Sequence, residues 1–168
     1  PTCLARASTF VICVPTPLSK ELGPNLVAVQ DAGRNIAANL RAGHLVILES
    51  TSYPGTTEEV LQPILETSGL KAGRDFSLGY SPERIDPGNE TFRLRNTPKV
   101  VGGLSADCTE RGVEVYSETV DEGVVAAGSK EAEMTKLLEL FKFLHVDVKI
   151  TQCLLVNLVL VKLQLLKV

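Results

Sequence analysis

The chain reads as an α/β protein built on a parallel sheet, with helices between its strands. Phe10-Val11-Ile12-Cys13-Val14 and His44-Leu45-Val46-Ile47-Leu48 are short apolar runs, as in strands buried on both faces. Between them Leu26, Val29, Gly33, Ile36 and Leu40 recur at helical spacing. Strand, helix and strand with short connections make a βαβ unit, which implies parallel pairing.

The remaining elements follow in order. Pro15-Thr16-Pro17 ends the first strand, and residues 18–24 read as a loop. Asn25 suits the N-cap of the first helix and Gly43 its closure. Cys13, inside its apolar run, reads as a small core residue. After the second strand Glu49-Ser50-Thr51-Ser52 leads to a Pro54-Gly55 turn. Thr56 and Glu59 then have the spacing of a capping box, and Val60, Leu61, Ile64 and Leu65 give an apolar helix face. Ser68-Gly69 ends that helix. Phe76, Leu78 and Tyr80 alternate with Ser77 and Gly79 as in a strand, and Pro82 stops it. Residues 99–103 read as a short strand, Ser105 as the cap of a helix reaching Tyr116, and 120–125 as extended chain. Ser129 caps a last helix whose stripe is Met134, Leu137, Leu138 and Phe141.

Composition narrows the function. The 168 residues are 44% hydrophobic and 22% charged with net charge −3, a globular balance without a Lys/Arg cluster for nucleic acid. Four cysteines form no CxxC pair, which suits a reducing cytoplasm, and residues 1–8 lack the order of a signal peptide. His44 and His145 are the two histidines, too few for a metal cluster or a Ser-His-Asp site. From Leu140 to Val168 there is no Gly, Ala, Pro or Ser and one acid, Asp147. Residues 146–151 alternate as in an amphipathic strand. The apolar run after Cys153 is interrupted by Asn157, Lys162 and Gln164, too short and broken for a membrane span. No GxGxxG and no GxxxxGK[ST] occurs; Gly102-Gly103 before a helix is a weak anion signal.

Chemistry-bearing residues gather after the third strand, where Glu83 and Arg84 precede an Asp86-Pro87-Gly88-Asn89 turn. Open α/β sheets place ligands at the C-terminal ends of their strands. By themselves Glu83 and Arg84 read equally as a solvated pair before a surface turn, and Lys136 as an exposed lysine beside Glu133.

Four segments carry a resemblance: Val14 to Pro17, Glu49 to Glu59, Tyr80 to Asn89, and Asn96-Thr97-Pro98-Lys99-Val100-Val101-Gly102-Gly103. They resemble the UDP-glucose/GDP-mannose dehydrogenase family, in the branch that oxidises UDP-N-acetylhexosamines. The match spans roughly residues 9 to 139. It implies the second half of the family's Rossmann-like NAD-binding domain over residues 1–128, and the start of the central helix with a divergent apolar tail over 129–168. The implied reaction oxidises a sugar C6 alcohol to a carboxylate with NAD as cofactor, through a cysteine-bound thioester. By the resemblance Thr51, Glu83 and Lys136 are catalytic. Thr51 lies beside the nicotinamide and the catalytic water, Glu83 does acid–base work on that water, and Lys136 stabilises the oxyanion. Thr16, Pro17, Ser50 and Thr51 line the cofactor, while Glu83 and Arg84 meet the substrate. A UDP-sugar is the implied partner, with a homodimer through the central helix, no nucleic acid, no membrane and no metal, in the cytoplasm.

The sequence also departs from the family. The Gly-rich first turn, the cysteine nucleophile and the sugar-nucleotide domain have no counterpart in these residues. The asparagine expected four residues after Lys136 is Leu140, and Cys153 lacks the nucleophile's glycine-rich surroundings. The alternative reading is therefore a non-catalytic α/β remnant or binding module. A different Rossmann-type reductase is disfavoured because no Tyr-x-x-x-Lys pair is present.

Overall fold

The structure, a computed structural model, describes residues 4–19, 23–84, 95–121 and 123–143. The expected Asp86–Asn89 turn and the tail from 144 onward lie outside these residues. The chain divides into two compact units, residues 1–136 and 137–168. Of the second, only the helical residues as far as Phe143 are described.

β1 (Thr9–Ile12), β2 (Leu45–Leu48) and β3 (Ser77–Tyr80) pair in parallel, Phe10 beside Val46 and Val46 beside Leu78. This is the predicted α/β arrangement. β4 (Lys99–Gly103) joins antiparallel to β3, and β5 (Gly123–Val125) runs parallel to β4, so the described sheet is mixed in the order β1-β2-β3-β4-β5. The pairing at Gly79 and Gly103 is close: a Cβ on Gly79 would lie 3.0 Å from the Gly102 carbonyl oxygen, and one on Gly103 only 2.6 Å from Cys108 Cβ and the Thr109 nitrogen.

Residues of β2 are all buried, as the unbroken apolar run predicts, because helices cover both faces. On one side Val46, Leu48, Leu78 and Tyr80 share a core with Val29 of helix α1 (Val27–Ala37) and with Leu61 and Leu65. On the other, α3 (Ala106–Ser117) lies against β2, β3 and β4, with Gly112 close to Val101 and Ile47. β1 is different. Phe10 and Ile12 are buried, but Val11 is 43% exposed at the edge of the described sheet.

Cys13 is a correction. It is exposed rather than in the core, because β1 ends at Ile12 and Cys13 belongs to the following loop. The capping box is a second correction. Residues 56–68 do form a helical segment, of π-helical turns Thr56–Leu61, a short helix α2 (Gln62–Leu65) and a 3-10 turn Glu66–Ser68. Thr56 does not cap it, since its hydroxyl donates to the Tyr53 carbonyl, 2.7 Å away. The N–H groups of Gly55 and Thr57 donate instead to Glu133, 78 and 76 residues later. The Glu59 N–H that a capping box would give to Thr56 goes to the Gly55 carbonyl, 2.7 Å away.

Gly43 does not close α1, which ends at Ala37 with Ala38 as its C-cap, and Ser129 does not cap the last helix but lies in its first turn and donates to Glu58. Two other expected ends hold. Ser105 Oγ accepts from the Cys108 N–H, and Gly69 closes the second helical segment at φ +87°. Helix α4 (Ser129–Phe143) turns Ser129, Ala132 and Glu133 inward, each 1% exposed or less. The predicted stripe began instead at Met134, which is only half-buried. Polar partners on the 55–58 turn, absent from any local pattern, decide which face docks.

Candidate active site at the C-terminal edge of the sheet

Because β1, β2 and β3 are parallel, the residues after each strand emerge at one edge of the sheet. Thr16 follows β1, Thr51 follows β2 and Glu83 follows β3. Lys99 reaches the same edge because β4 runs the opposite way and starts there.

Two contacts join the candidate residues in pairs. The Thr16 hydroxyl donates to the Thr51 carbonyl, 2.7 Å away. The Lys136 ammonium donates to the main-chain carbonyl of Glu83. Lys136 is half-buried in this contact, rather than an exposed lysine beside an acid. Arg84 donates to the Pro98 carbonyl, tying the Glu83 segment to the start of β4. Ser50 is buried and spends its hydroxyl on the main chain: it accepts from Val14 N–H (2.8 Å) and donates to the Ile12 carbonyl (3.2 Å). Pro17 accepts from Asn25 N–H at its carbonyl, which shapes the loop after β1.

Beneath this edge lies a charged cluster that sequence reasoning missed. Lys99 Nζ, 7% exposed, sits 2.7 Å from Glu49 Oε1 and 3.5 Å from Glu83 Oε2, and 4.9 Å from the centre of the Tyr116 ring. Glu49 also accepts from the Tyr116 hydroxyl and from the Cys13 thiol, the latter at 3.1 Å. Burial alone would raise the Glu49 carboxyl, but the bonds from Lys99, Tyr116 and Cys13 outweigh it and hold it below its ordinary value. The Cys13 thiol is pushed up to about 12, by its own desolvation and then by its bond to Glu49. Tyr116 is raised for the same two reasons. The available signal was Lys99 itself, a charge opening an otherwise apolar strand, which must find a partner once buried.

A groove of about 480 Å³ lies elsewhere, between α3 and residues 125–127, lined by Thr109, Glu110, Val113 and Val125 among others. It contains none of the candidate residues, and its polar groups are Thr109 and the carboxylates of Glu110 and Glu114, with no cation among them. Among the described residues no cluster of His, Cys, Asp and Glu could hold a metal, and no helix is long and apolar enough to cross a membrane.

An edge of parallel strand ends is where open α/β sheets bind their ligands. Residues 2–120 match the NAD binding domain of the UDP-glucose/GDP-mannose dehydrogenase family. The chain is 41% identical over 138 residues to Protein CapL of Staphylococcus aureus, covering 81% of this chain and 32% of that protein. It is 40% identical over 138 residues to UDP-N-acetyl-D-glucosamine 6-dehydrogenase of Pseudomonas aeruginosa, covering 81% and 33%. The solved UDP-D-ManNAc dehydrogenase of Pyrococcus horikoshii superposes with a TM-score of 0.76 at 36% identity, covering 82% of this chain and 33% of that one. The chain belongs to the UDP-glucose/GDP-mannose dehydrogenase family and spans about a third of the length of these relatives.

Proposed function

We propose that this chain supplies the catalytic edge of an NAD-dependent nucleotide-sugar 6-dehydrogenase, acting on the C6 alcohol of a UDP-N-acetylhexosamine or UDP-hexose. The observation that carries the reading is the pairing of Thr16 with Thr51 and of Lys136 with the Glu83 main chain at one sheet edge.

The residues present suit one part of the cofactor. Thr16, half-buried, and Thr51, exposed, are neutral and hydroxyl-bearing, and Pro17 stands beside them, which fits an amide-bearing ring rather than a diphosphate. Ser50 acts below them by binding the ends of β1 and β2 together. When bound, NAD accepts the electrons that leave C6.

Glu83 is the acid–base group for a water molecule attacking the oxidised carbon. Lys99 orients its carboxylate from one side, and Arg84 braces its segment while facing the substrate. Lys136 has three N–H donors, of which the Glu83 carbonyl takes one; the others serve a developing oxyanion. The protein works as a cytoplasmic homodimer paired through the α4 helix, with a UDP-sugar as its small-molecule partner and no role for nucleic acid or membrane.

The test uses one polypeptide joining this chain to the family's cysteine-bearing sugar-nucleotide domain, with asparagine placed at Leu140. It should release NADH from a UDP-N-acetylhexosamine. Glu83→Gln should then slow turnover and let a covalent sugar adduct accumulate, visible by intact-protein mass. Unchanged turnover in Glu83→Gln would sink the assignment. A joined protein that folds but never releases NADH would favour a binding module.

A further inference from the structure

We propose that Glu133 is the positioning residue for Lys136: its buried carboxyl clamps the first turns of α4 onto the Gly55–Thr57 turn and so sets where the lysine ammonium meets the Glu83 carbonyl. The inference rests on the role proposed for Lys136 above.

Glu133 is wholly buried, and both of its oxygens are engaged. Oε2 accepts from the Gly55 N–H, and Oε1 accepts from the Thr57 N–H at 2.9 Å and the Thr57 hydroxyl at 2.7 Å. A carboxyl held by donors two residues apart resists both rotation and sliding of its helix. Those N–H groups open a helical segment, and partly positive N–H groups at a helix start favour such an acceptor. Gly55 lies at φ +103°, a conformation that suits glycine and turns its N–H toward the carboxyl.

Lys136 lies three residues on, on the same face of α4, at a rise of about 4.5 Å along the axis. The lever is therefore short: a shift of the clamp carries over to the ammonium almost undiminished. The other α4 contacts on this turn are weaker guides. Ser129 donates to Glu58 at 2.7 Å, and Lys130 lies 3.2 Å from Glu59 and 3.3 Å from Glu58, but the lysine pairs are solvent-accessible. The Gly55–Thr57 turn also follows Thr51 closely in sequence. One carboxyl thus places the segments carrying two proposed catalytic residues.

A helix cap that only stabilises the fold would use the same three bonds, so the test must read Lys136 itself. In the 168-residue chain, the rate at which an amine-reactive acetylating reagent modifies Lys136 is compared with that of exposed Lys71. Amide exchange is followed at Gly55, Thr57, Val46 and Leu78. Glu133→Gln puts an NH2 group against the Gly55 or Thr57 donors. It should speed exchange at Gly55 and Thr57 and acetylation of Lys136, each by about tenfold, with Lys71, Val46 and Leu78 unchanged. Glu133→Asp, one methylene short, should fall between. If Glu133→Gln does not fold, Thr57→Val removes a single bond and should raise Lys136 acetylation by a few-fold. Faster exchange at Gly55 and Thr57 with Lys136 acetylation unchanged would reduce Glu133 to a cap and overturn the proposal. So would equal acceleration at Val46 and Leu78. Because no turnover is measured, the clamp stands or falls apart from the catalytic role of Lys136, which Lys136→Met in the joined enzyme tests separately.

Discussion

Lys99 shows what a single buried charge demands. At 7% exposure its ammonium is solvated by Glu49, Glu83 and the face of Tyr116 rather than by water. Removing it leaves Glu49 buried and charged with only the Tyr116 hydroxyl and Cys13 thiol as donors. Lys99→Met should therefore cost about 3–5 kcal/mol in urea unfolding, the usual cost of breaking a buried pair. Adding Glu49→Gln should restore much of the loss; a cost below about 1 kcal/mol for Lys99→Met would refute the buried-pair account. Glu66 and Asp75 show the opposite case, at the surface. Bonds from Lys71, Gln62 and the Ala72 N–H hold Glu66 at about 2, and bonds from Arg74 and the Lys71 N–H hold Asp75 at about 2. Their folded values lie below the unfolded 4.5 and 3.8, so the stability they lend is fully present above about pH 4.5 and lost as pH falls toward 2. Melting temperature should drop over that window, and Glu66→Gln should drop less. An equal drop in the variant would remove Glu66 from the account.

Elements meet through close approaches that glycine permits, and the approaches differ in what could yield. On α1, a Cβ at Gly33 would lie 2.9 Å from Leu61 Cδ1 and 3.2 Å from Ile64 Cγ2, side-chain ends with some freedom to shift. On β4, a Cβ at Gly102 would lie 2.1 Å from the Gly128 carbonyl oxygen, where main chain must move. Gly33→Ala should cost about 1 kcal/mol or less, because alanine's helix preference of about 1 kcal/mol offsets the crowding. Gly102→Ala should cost more than the 1–3 kcal/mol typical of overpacking, roughly, and move the start of α4. Chemical denaturation of both variants checks the order; Gly102→Ala as mild as Gly33→Ala would mean the β4–α4 approach is loose. Helix α3 is tied to both edges of the sheet. Arg111 donates to Ser77 Oγ and the Gly43 carbonyl near the N-terminal edge of the sheet, and Tyr116 to Glu49 at the other.

At the scale of the molecule, the described sheet presents hydroxyls, a carboxylate and an ammonium at one edge, and the sequence contains no GxGxxG turn. Pyrophosphate recognition in dinucleotide sites rests on such a turn and the helix start behind it. The 168-residue chain should therefore bind NAD weakly, short by several charge-assisted bonds of about 1.5–3 kcal/mol each. Micromolar binding by calorimetry would contradict this. The same chain spans about a third of its relatives' length and should release no NADH from UDP-hexoses in a spectrophotometric assay, since oriented reactants are worth about 7–11 kcal/mol.

The sequence by itself determined the α/β core, because the unbroken apolar run of β2 must bury both faces and α1 its periodic stripe, patterns written within ten or so residues; that β3, read as an alternating strand, is buried throughout came from its packing. It also carried the family, through motifs at the strand ends, and hence the candidates Thr16, Thr51, Glu83 and Lys136. Cys13 and the Thr56–Glu59 box misled for one physical reason: local spacing says which contacts a residue could make, not which distant group competes for them. Tertiary structure alone decided that Lys99 meets Glu49 across 50 residues, and that Glu133 accepts from the N–H groups of Gly55 and Thr57 while the Thr56 hydroxyl turns to Tyr53. A buried polar atom must find its partner wherever the fold delivers one, and that choice is made by packing rather than by neighbours in the chain.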